Sequence, residues 1–582
     1  MITRTVKIQS GMMKHVAVII LLLMLFTCAT GQTTYVPLWA KESWLLDRLE
    51  IKAQTDNSLN LSTVKPYMRK AYVAVADSFR QMLMDGKNPA KLTGVDQYNL
   101  DRFQANNSEF SRFDTLSMPG WRSKKDFLGF LWPTKGNMVE VDTKDFFLSI
   151  NPALNQQQSI ETDYDKRVFV NSRGFIVRGM IADKIGFHLY ATDNQEQGPI
   201  QFRQYVDSNR AVPGAGFNKP YKEGIGREYF DARGSVTWNV SRFVNMQFGF
   251  DQQFIGSGYR SLFLGNFAPP NLFLKFNTRV GKFNYTNIFS ELYSPIQASG
   301  GDVLDPKQYS STHHLSFNAT PWLTLGAFES VVWGEQDKIS FSYLQPVIFL
   351  NTLLRNKGGN DNAMVGFDVK ANLLHHVQVY GQWVMQAANE GESPSTDEGW
   401  ANRFGFQAGA KYVDAFGLKN LDLQAEINQV RPFTYSSPEN AGSWTNYRQP
   451  MAHPFGGNFR ELIGILRYQP WKKVYIFGRI NYWQQGRDSA RLNFGSNPRV
   501  DNSRVVDGGR RTRDDTYPMF AGTSVQGFNT AITLSYELKE NLFLEFNNIY
   551  RYYKSSNSLL GENTNILTGG IRWNMFRRDY DY

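Results

Sequence analysis

Residues 567–576 alternate strictly in polarity. Leu567, Gly569, Ile571, Trp573 and Met575 are separated by Thr568, Gly570, Arg572 and Asn574, and Phe576 leads into Arg577 to Tyr582. Side chains on a strand alternate between faces, so this stretch predicts a strand with one apolar side and one polar side, the pattern of a closing strand in an outer-membrane β-barrel. The first residues agree. Lys14 precedes an apolar run from Val16 to Phe26, followed by Ala29, Thr30 and Gly31. That is the charged, apolar and small-residue order of a secretory signal, with cleavage expected after Gly31.

Cleavage there removes Cys28, the single cysteine, and leaves a chain with neither a disulfide nor a thiolate metal site. The competing reading makes Cys28 an acylated residue, but Leu25, Phe26 and Thr27 lack the small residue expected just before it. Removal of Arg4, Lys7 and Lys14 lowers the formal charge of +10 by three, to +7. The densest basic stretch, Arg499 to Arg513, is interleaved with Asp501 and Asp507 and followed by Asp514 and Asp515. Mixed signs predict a solvated loop or contact with anionic glycan or lipopolysaccharide rather than a nucleic-acid groove.

Beyond Gly31 no apolar run approaches the roughly 18 residues of a membrane-spanning helix. Yet 14% of the residues are aromatic and 48 are glycine. Such a composition fits a barrel with aromatic girdles better than a secreted soluble β protein, the other class that alternation alone allows.

Five segments are expected: a signal (1–31), a helical domain on the periplasmic side (32–90), a connecting segment (91–144), the barrel (145–576) and a tail (577–582). Met68, Tyr72, Val75, Phe79 and Met82 recur at helical spacing, with Gly86 as a stop, and Trp44 to Lys52 forms a shorter helix. From Asp145 onward, strands alternate with tight turns and long loops. The clearest hairpin sets Ile532, Leu534, Tyr536 and Leu538 beside Leu542, Leu544 and Phe546 across a turn at Lys539 to Asn541. Similar turns fall near Ala182 to Lys184, Asn239 to Arg242, Val280 to Lys282, Thr320 to Trp322, Leu374 to His376, Leu418 to Asn420 and Gln469 to Lys472. The total is about eighteen antiparallel strands. Long segments at Asp193 to Glu228, Gly334 to Ala363, Pro432 to Phe459 and Gly486 to Gln526 then share the opposite, extracellular end.

Chemistry-bearing motifs are sparse. His313-His314 and His375-His376 are adjacent pairs, and neighbours on a strand point to opposite faces, so they read as belt or turn residues rather than metal ligands. Gly256-Ser257-Gly258-Tyr259-Arg260-Ser261 lacks the third glycine and following helix of a nucleotide loop. It reads instead as a tight path that points Tyr259 and Arg260 inward, for stacking on sugar rings and for gripping carboxylates of an acidic polysaccharide. No nucleophile elbow is present, and neither an enzyme nor a cofactor is expected. Glu329, Asp368, Glu426 and Glu461 are expected to line the lumen with Arg403, Arg431, Arg460, Arg467 and Arg479.

Several stretches resemble the Wzi-type capsule assembly family. Trp44 to Leu49 with Lys65 to Arg69 is similar to its N-terminal helical segment, and Gly256 to Pro270 to its glycine-containing segment. In the latter, Ser261-Leu262-Phe263-Leu264 and Asn266-Phe267-Ala268-Pro269 stand for the family pattern, with Gly265 where serine is more usual. His314-Leu315 with Trp322 to Gly326, Tyr343 to Val347, Asn362 to Gly366, Val430 to Tyr435 and Ala452 to Asn458 resemble its Bacteroidetes branch, which includes RemB-like gliding motility proteins.

The resemblance implies an outer-membrane barrel with a periplasmic helical bundle that holds capsular polysaccharide on the cell; the gliding branch implies motility or secretion machinery as partner. No motif of the family marks ligand contacts. On physical grounds the candidates are Tyr259, Arg260, Arg431, Tyr435, Trp444, His453 and Asn458. A rival class is a diffusion channel, in which the apolar segment Ile339 to Leu354 folds into the lumen as a constriction. A third is a scaffold for a motility or secretion machine.

Overall fold

In the computed structural model the strands close into one ring, which a sheet in hydrocarbon must do to leave no unpaired edge. The structure describes residues 33–582 except 39, 114–120, 122–130, 183, 223, 225, 296–305, 335–338, 356–360, 388–396, 439, 490–491, 504–510, 512–514 and 559–560. The signal segment, Cys28 and much of the basic stretch 499–513 lie outside the described residues.

Eighteen antiparallel strands form the wall. They are β1 (Phe146–Glu161), β2 (Tyr164–Ile181), β3 (Ile185–Gln197), β4 (Gly226–Asn239), β5 (Val244–Asp251) and β6 (Asn271–Val280). Next come β7 (Phe283–Tyr293), β8 (Lys307–Thr320), β9 (Leu323–Trp333), β10 (Asn362–Leu373), β11 (Val377–Gln386) and β12 (Phe404–Val413). The last are β13 (Leu421–Val430), β14 (Phe459–Trp471), β15 (Val474–Arg487), β16 (Thr523–Lys539), β17 (Leu542–Ser555) and β18 (Glu562–Trp573). Strand β18 pairs back onto β1, from Ile566 opposite Glu161 to Trp573 opposite Leu154.

The expected turns all lie at one end of the barrel and the expected long segments at the other. Ile532, Leu534, Tyr536, Leu538, Leu544 and Phe546 are exposed on the outer face, as read. Among the described residues no helix is long and apolar enough to cross a membrane.

Two features depart from the alternation rule. Strand β18 ends at Trp573 rather than Phe576, because Asn574 takes a left-handed turn (φ 50°). Met575 is therefore fully buried beside Tyr190 and Ala153 instead of facing outward. At the long-loop end the inner face is apolar: Phe273, Ile288, Phe328, Met364, Val384, Val430, Phe459 and Trp483 form a core with Leu262, Phe263, Tyr435 and Trp444. Loops that fold into the lumen reverse the polarity rule wherever they bring apolar side chains of their own.

The opposite end is closed by the N-terminal helices α1 (Glu42–Ala53), α2 (Asn57–Asn60), α3 (Arg69–Met84) and α4 (Gly94–Ala105). Helix α3 ends two residues before Gly86, and Tyr72, Val75 and Phe79 are buried against Leu45, Leu49, Leu100 and Phe103. Helix α4 was not legible as a periodic segment; it is started by a capping box between Thr93 and Asp96.

This plug is bolted to the short turns by charge. Arg48 donates from Nε to Asp96 (2.9 Å), from Nη2 to Asp414 in the β12–β13 turn (3.0 Å), and from Nη1 to Asp422 of β13. Lys52 bridges Asp96 and Asp414, both at 2.7 Å. Glu50 meets Lys370 (2.6 Å), and Lys41 meets Glu537 (2.7 Å) and Glu540 (2.6 Å). Burial works to raise the Asp96 carboxyl, but Arg48 and Lys52 outweigh it and hold it well below the usual carboxylate range.

Removing one partner from a buried ionic cluster costs about 3–5 kcal/mol because the rest are left uncompensated. Arg48→Ala is expected to free the helices, read as faster tryptic cleavage within residues 33–110, while the heat-modifiable gel mobility of the barrel is retained. The depressed Asp96 contributes stability that is complete above about pH 4 and lost as pH falls toward its folded value. The wild-type plug should accordingly become pepsin-sensitive only below about pH 3.

Candidate functional site

Between the plug and the loop core the lumen encloses a chamber of about 450 Å³. Its walls come from α1 and the plug residues around it, the β3–β4 and β5–β6 loops, the inner face of the barrel, and residues 576–582, which turn back into the lumen. Seven cationic residues line it (Lys65, Arg233, Arg260, Lys411, Arg467, Arg577 and Arg578), against four acidic ones (Asp47, Glu196, Asp579 and Asp581). Trp44, Phe254, Tyr259, Phe267 and Phe477 add aromatic surface. Lys65 lies over the Phe254 ring at 5.3 Å, and burial brings its amine down to about 8.

The β5–β6 loop crosses the whole lumen. Phe254 and Ile255 pair with Lys65 and Val64 of the plug, and the Gly256 amide donates to the Thr63 carbonyl at 2.8 Å. At Gly258 an added Cβ would sit 2.5 Å from Glu426 Oε2 and 2.9 Å from the Arg260 carbonyl, so a side chain there would force the segment to shift. The next two amides, Tyr259 and Arg260, donate to the Glu426 carboxylate at 2.7 and 3.1 Å. The segment that superficially resembles a phosphate loop thus grips an anion of its own barrel wall.

Tyr259 and Arg260 do point into the lumen. The Tyr259 hydroxyl donates to Asp581 Oδ2 (2.6 Å) and accepts from Arg479 (2.8 Å). Arg260 reaches Asp581 (3.1 Å) and Glu461 (3.3 Å), and Arg479 reaches Asp581 (3.3 Å) and Asp579 (3.1 Å). Burial works to raise the Asp581 carboxyl, but Arg260 and Arg479 overcome it and hold it at about 2. Two guanidiniums and a phenol converging on one carboxylate make a clamp for a planar anion.

The other candidates are set apart from the chamber. Tyr435 donates its hydroxyl to the Leu262 carbonyl (2.7 Å), and the Trp444 indole donates to the Phe263 carbonyl (2.8 Å). His453 stacks on Phe459 and bonds Glu461 at 2.7 Å. The Asn458 amide donates to the Gly486, Phe494 and Ala521 carbonyls and accepts from the Phe520 amide. All four are buried; Tyr435, Trp444 and Asn458 tie one loop to another, and His453 ties its loop to β14. Arg431 is half-buried, with Nε on the Asn402 carbonyl at 2.9 Å.

Of the expected lumen charges, Asp368, Glu426, Glu461, Arg467 and Arg479 face inward. Glu329 and Arg460 face outward, in register with the exposed Leu325 and Leu462 of their own strands. His313 and His314 point to opposite faces, as adjacency requires; His314 bonds the inward Asp368 at 2.7 Å. Missed from sequence were Asp579, Tyr580 and Asp581. The signal available was a dense run of charges and tyrosines after a turn-forming asparagine, where a barrel strand should continue.

Because Asp581 ionises with a depressed pKa, its docking is complete above about pH 4 and is lost as pH falls toward 2. Amide exchange of residues 577–582, corrected for its intrinsic pH dependence, should stay slow at pH 5 to 7 and rise only below about pH 3. Asp581→Asn removes charge-assisted bonds worth about 1.5–3 kcal/mol and should speed that exchange roughly tenfold or more at pH 7.

Among curated proteins no match was found. The family model described as capsule assembly protein Wzi matches residues 235–497. Among solved structures, the chain is similar to Wzi of Escherichia coli, described as a carbohydrate-binding β-barrel of the outer membrane involved in group 1 capsule assembly. Identity is 14% and the TM-score 0.53, over 94% of this chain and 100% of that one. The barrels of Pseudomonas aeruginosa OprD (10%, TM-score 0.39, 73% of this chain and 94% of that) and Acinetobacter baumannii OccAB4 (8%, TM-score 0.40, 74% and 98%) are more distant. The match at 235–497 includes the β5–β6 and β13–β14 loops and all seven candidate residues, and over that stretch it bears out the resemblance to the Wzi capsule assembly family read from the motifs.

Proposed function

We propose that this protein is a non-enzymatic outer-membrane barrel that binds capsular or extracellular polysaccharide at the cell surface, in capsule assembly. The observation that supports it best is the basic, aromatic-walled chamber whose Tyr259 and Arg260, together with the neighbouring Arg479, already clamp a carboxylate, the group an acidic sugar presents. The family match and the capsule role stated for the Escherichia coli neighbour agree with this reading. In it the short turns and the plug face the periplasm, the long loops face outward, and Tyr259 and Arg260 are ligand contacts. Arg431, at the outer rim, is a further contact. Tyr435, Trp444, His453 and Asn458 serve by holding the loops that shape the entrance. The plug and the lumen-filling loops weigh against a wide diffusion channel.

Cells lacking the protein should release polysaccharide into the medium, and complementation should restore it to the surface. Intact surface polysaccharide with lost spreading on agar would move the assignment to motility. In the purified barrel, Tyr259→Ala with Arg260→Ala should weaken binding of acidic oligosaccharide by roughly tenfold or more, the value of one lost charge-assisted bond, with heat-modifiable mobility unchanged. Equal binding would count against this chamber as the site.

A further inference from the structure

The segment Ile339 to Leu354 does not enter the lumen as a constriction. It folds down over the outside of the barrel, across β7 to β10. There the wall is anomalous: Ser311 and His313 of β8 and Glu329 of β9 point outward and are nonetheless fully buried. The segment covers them. The Phe349 and Thr352 amides donate to Glu329, each at 2.6 Å, and the Thr352 hydroxyl adds a third bond at 2.7 Å. Asn351 donates to Ser311 at 2.9 Å, and the Tyr285 hydroxyl on β7 donates to the Pro346 carbonyl at 2.6 Å. The Tyr343 ring packs at a tilt against the outward Trp333, centroids 4.7 Å apart, and is buried with Val331 and Ala363.

The position of this flap is given by register. Tyr285 lies opposite Leu315, Leu315 opposite Ala327, Ala327 opposite Phe367, and Phe367 opposite Trp383. Phe367 and Trp383 in that row are exposed on the outer face, so the flap reaches the level at which the neighbouring wall meets lipid. Its own outer surface is apolar: Phe341 is 82% and Leu353 77% exposed, and Ile339, Val347 and Leu354 are also exposed. Phe349 lies 6.4 Å from Phe367, which makes this surface continuous with the lipid-facing wall.

We infer that residues 339–354 form a membrane-seated flap whose apolar side chains enter the acyl region next to the headgroups of the leaflet at the long-loop end. It replaces a patch of wall too polar to meet hydrocarbon. A carboxylate facing lipid is expensive, and irregular backbone at membrane depth requires its polar groups to be taken up by protein. Here one arrangement meets both demands: Glu329 accepts backbone amides of the flap, and the flap shields Glu329. The ligand class is the acyl chain of a lipid, as for an interfacial amphipathic element.

The test uses the full-length barrel in a Cys28→Ser background, reconstituted in phosphatidylcholine vesicles. Phe341→Cys and Leu353→Cys are each labelled with an environment-sensitive fluorophore. Phe367→Cys serves as the lipid-facing reference and Asp163→Cys, in the β1–β2 turn, as the aqueous one. Phosphatidylcholine brominated near the headgroup end of its chains should quench both flap labels to within twofold of Phe367→Cys and at least twofold more than Asp163→Cys. Absence of quenching with maleimide modification as fast as at Asp163→Cys would put the flap in water and overturn the inference. Absence of both quenching and modification would mean that protein, a second copy or another partner, covers the face, and would overturn it equally. Two independent positions keep the result readable if one variant fails to assemble.

Discussion

The pairing of β18 with β1 is the constraint on which everything else rests. Hydrocarbon offers no partner to an unpaired amide or carbonyl, so the sheet is stable in a bilayer only as a closed ring. With eighteen strands the ring encloses a lumen too wide for its own wall side chains to fill. The chain therefore had to supply an interior, and it does so from three directions: the N-terminal helices at one end, the β3–β4, β5–β6 and β13–β14 loops at the other, and residues 576–582 between them.

The three fillings use different physics. The plug meets the turns through buried ion clusters centred on Arg48 and Lys52, where every charge has a partner of opposite sign. Such contacts fix position sharply because a displaced charge would be left unpaired. The loops at the far end use apolar packing, with Phe263 stacked on Phe328 at 4.4 Å. Where these two fillings fail to meet, a chamber remains, and its excess of cationic side chains follows from the arginines that project from the wall, the loop and the returning tail. An internal carboxylate, Asp581, settles into it because the guanidiniums of Arg260 and Arg479 are worth more to it than water.

Much of this was legible in the residues. Alternation in Ile532 to Phe546 revealed the outward face, the tight turns sorted the two ends, and spacing in Tyr72, Val75 and Phe79 revealed a helix. The inward direction of Tyr259 and Arg260 is legible from the glycines of a loop that follows a strand. Less was legible where a side chain's role depends on what comes to cover it. Trp444 and His453 are aromatic and polar in the way ligand contacts are, yet they are wholly enclosed by loops that arrive from elsewhere in the chain. Glu329, expected among the lumen carboxylates, faces outward because the loop that follows its own strand folds down to receive it.

The sequence by itself determined the class of fold, the number and direction of the strands, and which residues of the regular hairpins meet lipid. Period-two polarity and turn chemistry are local properties, set within a few residues. Only the tertiary structure decided what fills the ring, which charges meet inside it, and that the apolar stretch 339–354 lies outside rather than within. The third depends on which face of the wall a loop folds across, and the first two on strand stagger and on segments hundreds of residues apart arriving at one place, as with Arg260 and Asp581. No local pattern encodes the distance between them.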